Sequence, residues 1–184
     1  FLSKNLMVKK NPFFFLPLLS VAAALASLFL AETLLRTPWL QPKFECVGLP
    51  WIYDKESLYK VAPNSRKEIN RLGYRDREFQ KKVLGKKRVL FLGDSFAMGM
   101  DVGAAETLPK LLEKKLGDGY EIFNMGIVGF GPDQALLALE REGFRLEPDL
   151  VILGVYPTND FNDLYKNKLF GLSKNGSLQK NRLN

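Results

Sequence analysis

The chain has 184 residues, 46% hydrophobic and 26% charged, a globular composition with room for one ordinary domain and an appendage. Its formal charge of +7 is uneven: Lys and Arg outnumber Asp and Glu 14 to 7 in residues 1–82, are outnumbered 8 to 13 in residues 83–165, and stand 5 to none in residues 166–184. The best-patterned stretch is therefore acidic, which argues against nucleic acid, while a single cysteine (Cys46) and no histidine exclude an internal disulfide and remove the usual metal ligands and the usual general base; no cofactor or metal is called for.

The sequence begins at Phe1, and Met7, followed by Val8-Lys9-Lys10, would serve as a natural start. Pro12 to Ala31 is a run without charge. As a helix it would span about 30 Å, the hydrocarbon thickness of a bilayer. Lys4, Lys9 and Lys10 precede it, so the expected orientation keeps the N-terminus cytoplasmic and the rest outside. Ala22-Ala23-Ala24 and Ala24-Leu25-Ala26 also fit signal-peptide cleavage. Apolar residues continue through Leu28-Phe29-Leu30, which favours an uncleaved anchor over residues 12–31; either reading is extracytoplasmic. Residues 1–36 are thus predicted to be a cytoplasmic tip and transmembrane anchor.

Residues 37–84 contain Pro38, Pro42, Pro50 and Pro63 and read as a membrane-proximal stalk or wrapping segment without a long regular element. The stretch from Arg66 to Lys82 is basic and reads as a solvated face or a lipid-headgroup patch. From residue 85 the pattern changes. Val89–Leu92, Ile122–Asn124 and Leu150–Val155 are nearly continuous apolar runs, as in strands covered on both faces. Between them lie two helical patterns. Thr107 to Leu116 places Leu108, Leu111, Leu112 and Leu116 on one face; Pro132 to Phe144 places Leu136, Leu137, Leu139 and Phe144 inward. This alternation predicts an α/β fold, a three-layer doubly wound parallel sheet, over residues 85–165. Residues 166–184 look like a hairpin turning at Asn175-Gly176.

Each predicted strand ends in small or polar residues: Gly93-Asp94-Ser95, then Asn124 to Gly131, then Pro157-Thr158-Asn159-Asp160. Parallel strands deliver these loops to one edge, where ligands of such sheets bind. A serine, a glycine loop and an asparagine amide there are the parts of an acyl-transfer site. Singly, they also read as a helix N-cap, a tight strand-to-helix turn and an Asx turn. The spacing does not fit Gly-x-Ser-x-Gly, Gly-x-Gly-x-x-Gly or a P-loop.

Lys86 to Asp163 resembles the first three sequence blocks of the SGNH/GDSL hydrolase family, through Gly93-Asp94-Ser95, Asn124-x-Gly126-x-x-Gly129 and Asn159-Asp160, with Pro157 where the family has Gly. The resemblance implies a flavodoxin-like fold and a serine ester hydrolase or O-acyltransferase. Ser95 would be the nucleophile, and Ser95 N–H, Gly129 N–H and the Asn159 amide the oxyanion donors. Asp94, Asn124 and Asp160 would support them. Asn70-x-x-Gly73-x-Arg75 and the N-terminal anchor resemble an envelope-associated bacterial subgroup. The family's last block, Asp-x-x-His, does not occur, so the chain is expected to be the first half of the domain, truncated after the hairpin. The implied substrates are acyl esters, such as O-acetyl groups of envelope glycans or lipids. The alternative is a catalytically inactive, membrane-tethered SGNH-like glycan-binding or scaffold module.

Overall fold

The computed structural model describes residues 12–37 and 48–181, with the side chains of residues 12–16 and 18 left out. Lys4, Met7, Lys9, Lys10 and Cys46 lie outside the described residues. The chain divides into two compact units, Phe1–Pro42 and Lys43–Asn184.

The first unit contains helix α1, Pro12–Leu35. Its hydroxyls turn back on its own backbone: Ser27 Oγ donates to Ala23 O (2.8 Å) and Thr33 Oγ1 to Phe29 O (2.7 Å). The expected membrane span gains no support here, since no helix among the described residues is long and apolar enough to cross a membrane.

The second unit opens with an antiparallel hairpin of β1 (Trp51–Asp54) and β2 (Leu58–Val61), in which Tyr53 faces Tyr59. Asp54 shapes its turn by accepting the Glu56 and Ser57 N–H groups at 3.0 and 2.9 Å. The basic segment that follows has little regular structure but buries Tyr74 and Phe79. Phe79 stacks on Tyr74 on one side and on Phe123 on the other. Residues 48–84 therefore pack as part of the sheet domain, and the chain from Arg66 to Lys82 is more than a solvated face.

The three predicted strands are present as β3 (Lys87–Leu92), β4 (Tyr120–Asn124) and β5 (Leu150–Leu153), in the order β4-β3-β5 and parallel throughout. Central β3 shows why its sequence is continuously apolar. Leu90 and Leu92 join Phe123, Met125, Ala135 and Ala138 in one core cluster. Val89 and Phe91 join Ile122, Ala97 and Leu112 in another. Successive residues of a strand point to opposite faces, and both faces are covered here. Helix α2 (Ser95–Met98) and helix α3 (Leu108–Leu116) contribute to the second cluster, and α4 (Pro132–Ala138) to the first.

Two helical expectations are corrected. In α3 only Leu112 packs on the core, while Leu108, Leu111 and Leu116 are exposed. The helix instead turns Lys110 and Glu113 toward β4, where they bond Ile122 O and Ile122 N. The helix starting at Pro132 does not run regularly to Phe144. It is α-helical to Ala138, widens into a π turn at Leu139–Gly143, and closes with a 3-10 turn at Phe144–Leu146. Gly143 presses against Leu90, and Phe144 is exposed. Helix α5 (Asp160–Asn167) follows β5, and the hairpin turning at Asn175-Gly176 is formed by β6 (Phe170–Leu172) and β7 (Leu178–Lys180).

Candidate active site

Because β3, β4 and β5 are parallel, the segments following them emerge at one edge, and each carries one group of candidate residues. After β3, Gly93 adopts φ 155°, and a Cβ there would lie 3.0 Å from Gly154 O. The first and third loops are thus in backbone contact. Asp94 is the N-cap of α2, its Oδ1 accepting Phe96 N–H at 2.9 Å. Ser95 is the first residue of that helix, where N–H groups lack an intrahelical acceptor. Its hydroxyl lies 3.4 Å from Asp94 Oδ2, a long contact for an O–H donor.

The second loop is bound tightly to the first. The Asn124 side chain donates to Ala97 O at 2.8 Å and accepts from Gly126 N–H at 2.9 Å, while Ile127 N–H donates to Gly93 O at 3.1 Å. A Cβ on Gly126 would sit 2.5 Å from Met98 N, so only glycine allows this approach. Gly129 adopts φ 72°, the left-handed region, and its N–H has no acceptor among the described residues.

After β5, the ring of Tyr156 packs 4.5 Å from that of Phe96. Asp160 Oδ2 accepts Tyr156 N–H at 2.8 Å, fixing the turn that presents Asn159 at the N-cap of α5. The Asn159 amide donates to Asp163 Oδ2 at 2.9 Å. The reverse amide orientation would set Oδ1 against that carboxylate, so the NH2 group must face it. One N–H of Asn159 is thereby used, and its Oδ1 is buried without a hydrogen-bond partner among the described residues. Burial pushes the Asp160 carboxyl up, the Tyr156 N–H pulls it down, and the neighbouring charges of Asp94 and Asp163 push it up again; the net direction is upward. Beside Ser95 opens a cavity of about 360 Å³ lined by Phe96, Gly99, Met100, Asp101 and Val102. Among the described residues no group of His, Cys, Asp or Glu could hold a metal ion.

Sequence reading missed the groups that brace this edge from the segment before β3. Asp76 Oδ2 accepts Asn124 N–H at 2.7 Å, and Asp76 Oδ1 pairs with Lys110 Nζ at 2.7 Å. The buried Arg75 guanidinium donates to Met98 O, Gly99 O and Val102 O, the turn that closes α2. The Asn70-x-x-Gly73-x-Arg75 pattern was the available signal. Asn70 Oδ1 accepts Leu72 and Tyr74 N–H, and Gly73, at φ 92°, approaches Val61 O too closely for any Cβ. The motif is a tight turn that delivers Arg75 to the turn after Ser95.

Neither a family model nor a curated protein sequence matches the chain. Among solved structures it is similar to AlinE4, an esterase of the SGNH-hydrolase family, with a TM-score of 0.34 and 22% identity over 47% of this chain and 57% of that one. A point mutant of the same esterase gives the same values. The matched region thus spans little more than half the length of that esterase.

Proposed function

We propose that this edge is the acyl-transfer centre of an extracytoplasmic serine esterase or O-acyltransferase. The observation that carries the reading is the set of unused donors: Ser95 N–H and Gly129 N–H have no acceptor among the described residues, and Asn159 has one amide N–H to spare, on three loops bonded to one another. Preorganised donors of this kind stabilise a developing oxyanion. Ser95 Oγ attacks the ester carbonyl, its proton passes to a base, and the negative charge moves to the carbonyl oxygen, where the three donors receive it. Collapse expels the alcohol and leaves an acyl-Ser95, which water hydrolyses or a sugar hydroxyl intercepts. Asp94 is unsuited as the base, since it is committed to capping α2 and its contact with Ser95 Oγ is long. The 184 residues contain no histidine, the usual base for such a serine. Ester substrates with an apolar acyl group suit the cavity walled by Phe96, Met100 and Val102. O-acylated glycans or lipids are the class met by an enzyme anchored through residues 12–31 and facing outward, a placement supported by the uncharged run and the lysines before it.

The test supplies the base externally. Incubated with p-nitrophenyl acetate and imidazole, the chain should acquire an acetyl group that peptide mass spectrometry maps to Ser95. Ser95→Ala should remove it, and without imidazole it should form only slowly. The inactive-module reading gains from the missing histidine and requires that no Ser95 adduct form under either condition.

A further inference from the structure

We infer that Tyr59, on the β1–β2 hairpin, is a positioning residue for the oxyanion peptide. The inference rests on the reading of Ser95 and Gly129 above. The Tyr59 hydroxyl donates to Val128 O at 3.1 Å. Val128 C=O and Gly129 N–H belong to the same planar peptide unit and point in opposite directions. Fixing that carbonyl therefore fixes the direction of the one N–H in the glycine loop that the oxyanion needs. A carbonyl that accepts a hydrogen bond also polarises its own peptide, which makes Gly129 N–H a better donor.

The rest of the surroundings hold the phenol in place. Its ring meets those of Trp51 and Phe130 edge-on, both at 5.6 Å. Gln134 adds a second latch between hairpin and loop, donating to Ser57 O at 2.7 Å and accepting from Gly131 N–H at 3.0 Å. A Cβ on Gly129 would stand 2.7 Å from the Tyr59 oxygen, so the glycine and the tyrosine are fitted to each other. Burial, against a hydrogen bond from Gln134, pushes the Tyr59 hydroxyl up to about 12, so it stays a donor across the neutral range.

The test uses the full chain in detergent with two readouts: the Gly129 amide signal in a 15N-glycine spectrum, and imidazole-dependent acetylation of Ser95. Tyr59→Phe keeps the ring and removes the hydroxyl. The Gly129 signal should move while those of Gly85 and Gly176 stay. The acetylation rate constant should fall about tenfold at an unchanged half-saturating ester concentration, an indirect loss smaller than removal of a donor itself. A 3-fluorotyrosine at position 59, whose hydroxyl is a stronger donor, should raise the rate above that of the unsubstituted chain. A Gly129 signal that does not move, or an acetylation rate unchanged by Tyr59→Phe, overturns the inference. If Tyr59→Phe does not fold, the fluorotyrosine chain decides alone: a rate above the unsubstituted chain supports the inference and an equal or lower rate overturns it. Failure of the unsubstituted chain to acetylate overturns the Ser95 reading, and this inference with it.

Discussion

Asn124 joins three parts of the domain that are far apart in sequence: its N–H reaches Asp76, its amide N–H reaches Ala97 O, and its Oδ1 receives Gly126 N–H. It is fully buried, so Asn124→Ala would leave two backbone groups without partners. The expected cost is about 2–4 kcal/mol, read as a lower melting temperature. Asn159 differs. Its loop is held by Asp160 through Tyr156 N–H, so Asn159→Ala should leave melting nearly unchanged while lowering the rate of imidazole-dependent Ser95 acetylation by about 10²–10³, the usual loss for one oxyanion donor. Equal losses of stability and rate would make Asn159 a structural residue instead. The placement of Ser95, Gly129 and Asn159 after strands was legible because each sits in a short local pattern following an apolar run. Tyr59 and Asp76 were not. Their partners, Val128 and Asn124, lie 69 and 48 positions away, and no local pattern encodes such a contact.

Helix α3 shows how an element can be located by its pattern and still be turned the wrong way. Its limits follow from Pro109 in its first turn and Gly117 at its end. Its leucine spacing suggested the buried face, but Lys110 and Glu113 take the place beside β4, with Asp76 and Arg77 completing an ionic cluster. Burial pushes the Glu113 carboxyl up, yet Arg77, the Ile122 N–H and Lys110 outweigh it and hold it at about 2, against 4.5 for a free side chain. A depressed folded pKa gives stability that is present above pH 4.5 and is lost as pH falls toward 2. Solvent screening limits the contribution to about 1–2 kcal/mol. Melting temperature should therefore drop between pH 4.5 and 2 more steeply in the natural chain than in Glu113→Gln. Parallel curves would remove Glu113 from the account of acid stability. At the neighbouring contact between α2 and the glycine loop, Gly126→Ala places a Cβ 2.5 Å from Met98 N, and the two elements must separate. Overpacking of this kind costs about 1–3 kcal/mol, and Ser95 acetylation should fall with the melting temperature.

At the scale of the whole chain, the α/β alternation was legible because strands covered on both faces leave continuous apolar runs, as Val89 to Leu92 do, whereas β5 is apolar yet leaves Leu150 and Leu153 exposed. The charge distribution bears on the proposed orientation of the chain. The described side chains of α1 from Leu19 to Leu35 include eight exposed large hydrophobic residues, and Ser27 and Thr33 satisfy their hydroxyls within the helix. The proposed anchor rests on the uncharged run of the sequence, since no helix among the described residues is long and apolar enough to cross a membrane. Lys4, Lys9 and Lys10 precede the helix, and the sequence between Leu35 and Trp51 holds only Arg36 and Lys43 as basic residues. Arg36 pairs with Glu32 at 2.7 Å. Basic residues resist translocation more strongly than acidic ones promote it, so in the proposed placement the three lysines would set the direction. A phosphatase that is active only outside the cytoplasm, fused after Asn184, should be active, and a fluorescent protein that matures only in the cytoplasm should be dark. Replacing Lys4, Lys9 and Lys10 with Glu leaves Arg36 and Lys43 as the nearest positive charges to the helix and should move both reporters toward the opposite result. A bright cytoplasmic reporter on the unsubstituted chain would remove the outward placement, and with it the case for envelope esters as substrates. The proposed Ser95 chemistry would be untouched, since that proposal rests on the three loops at the sheet edge.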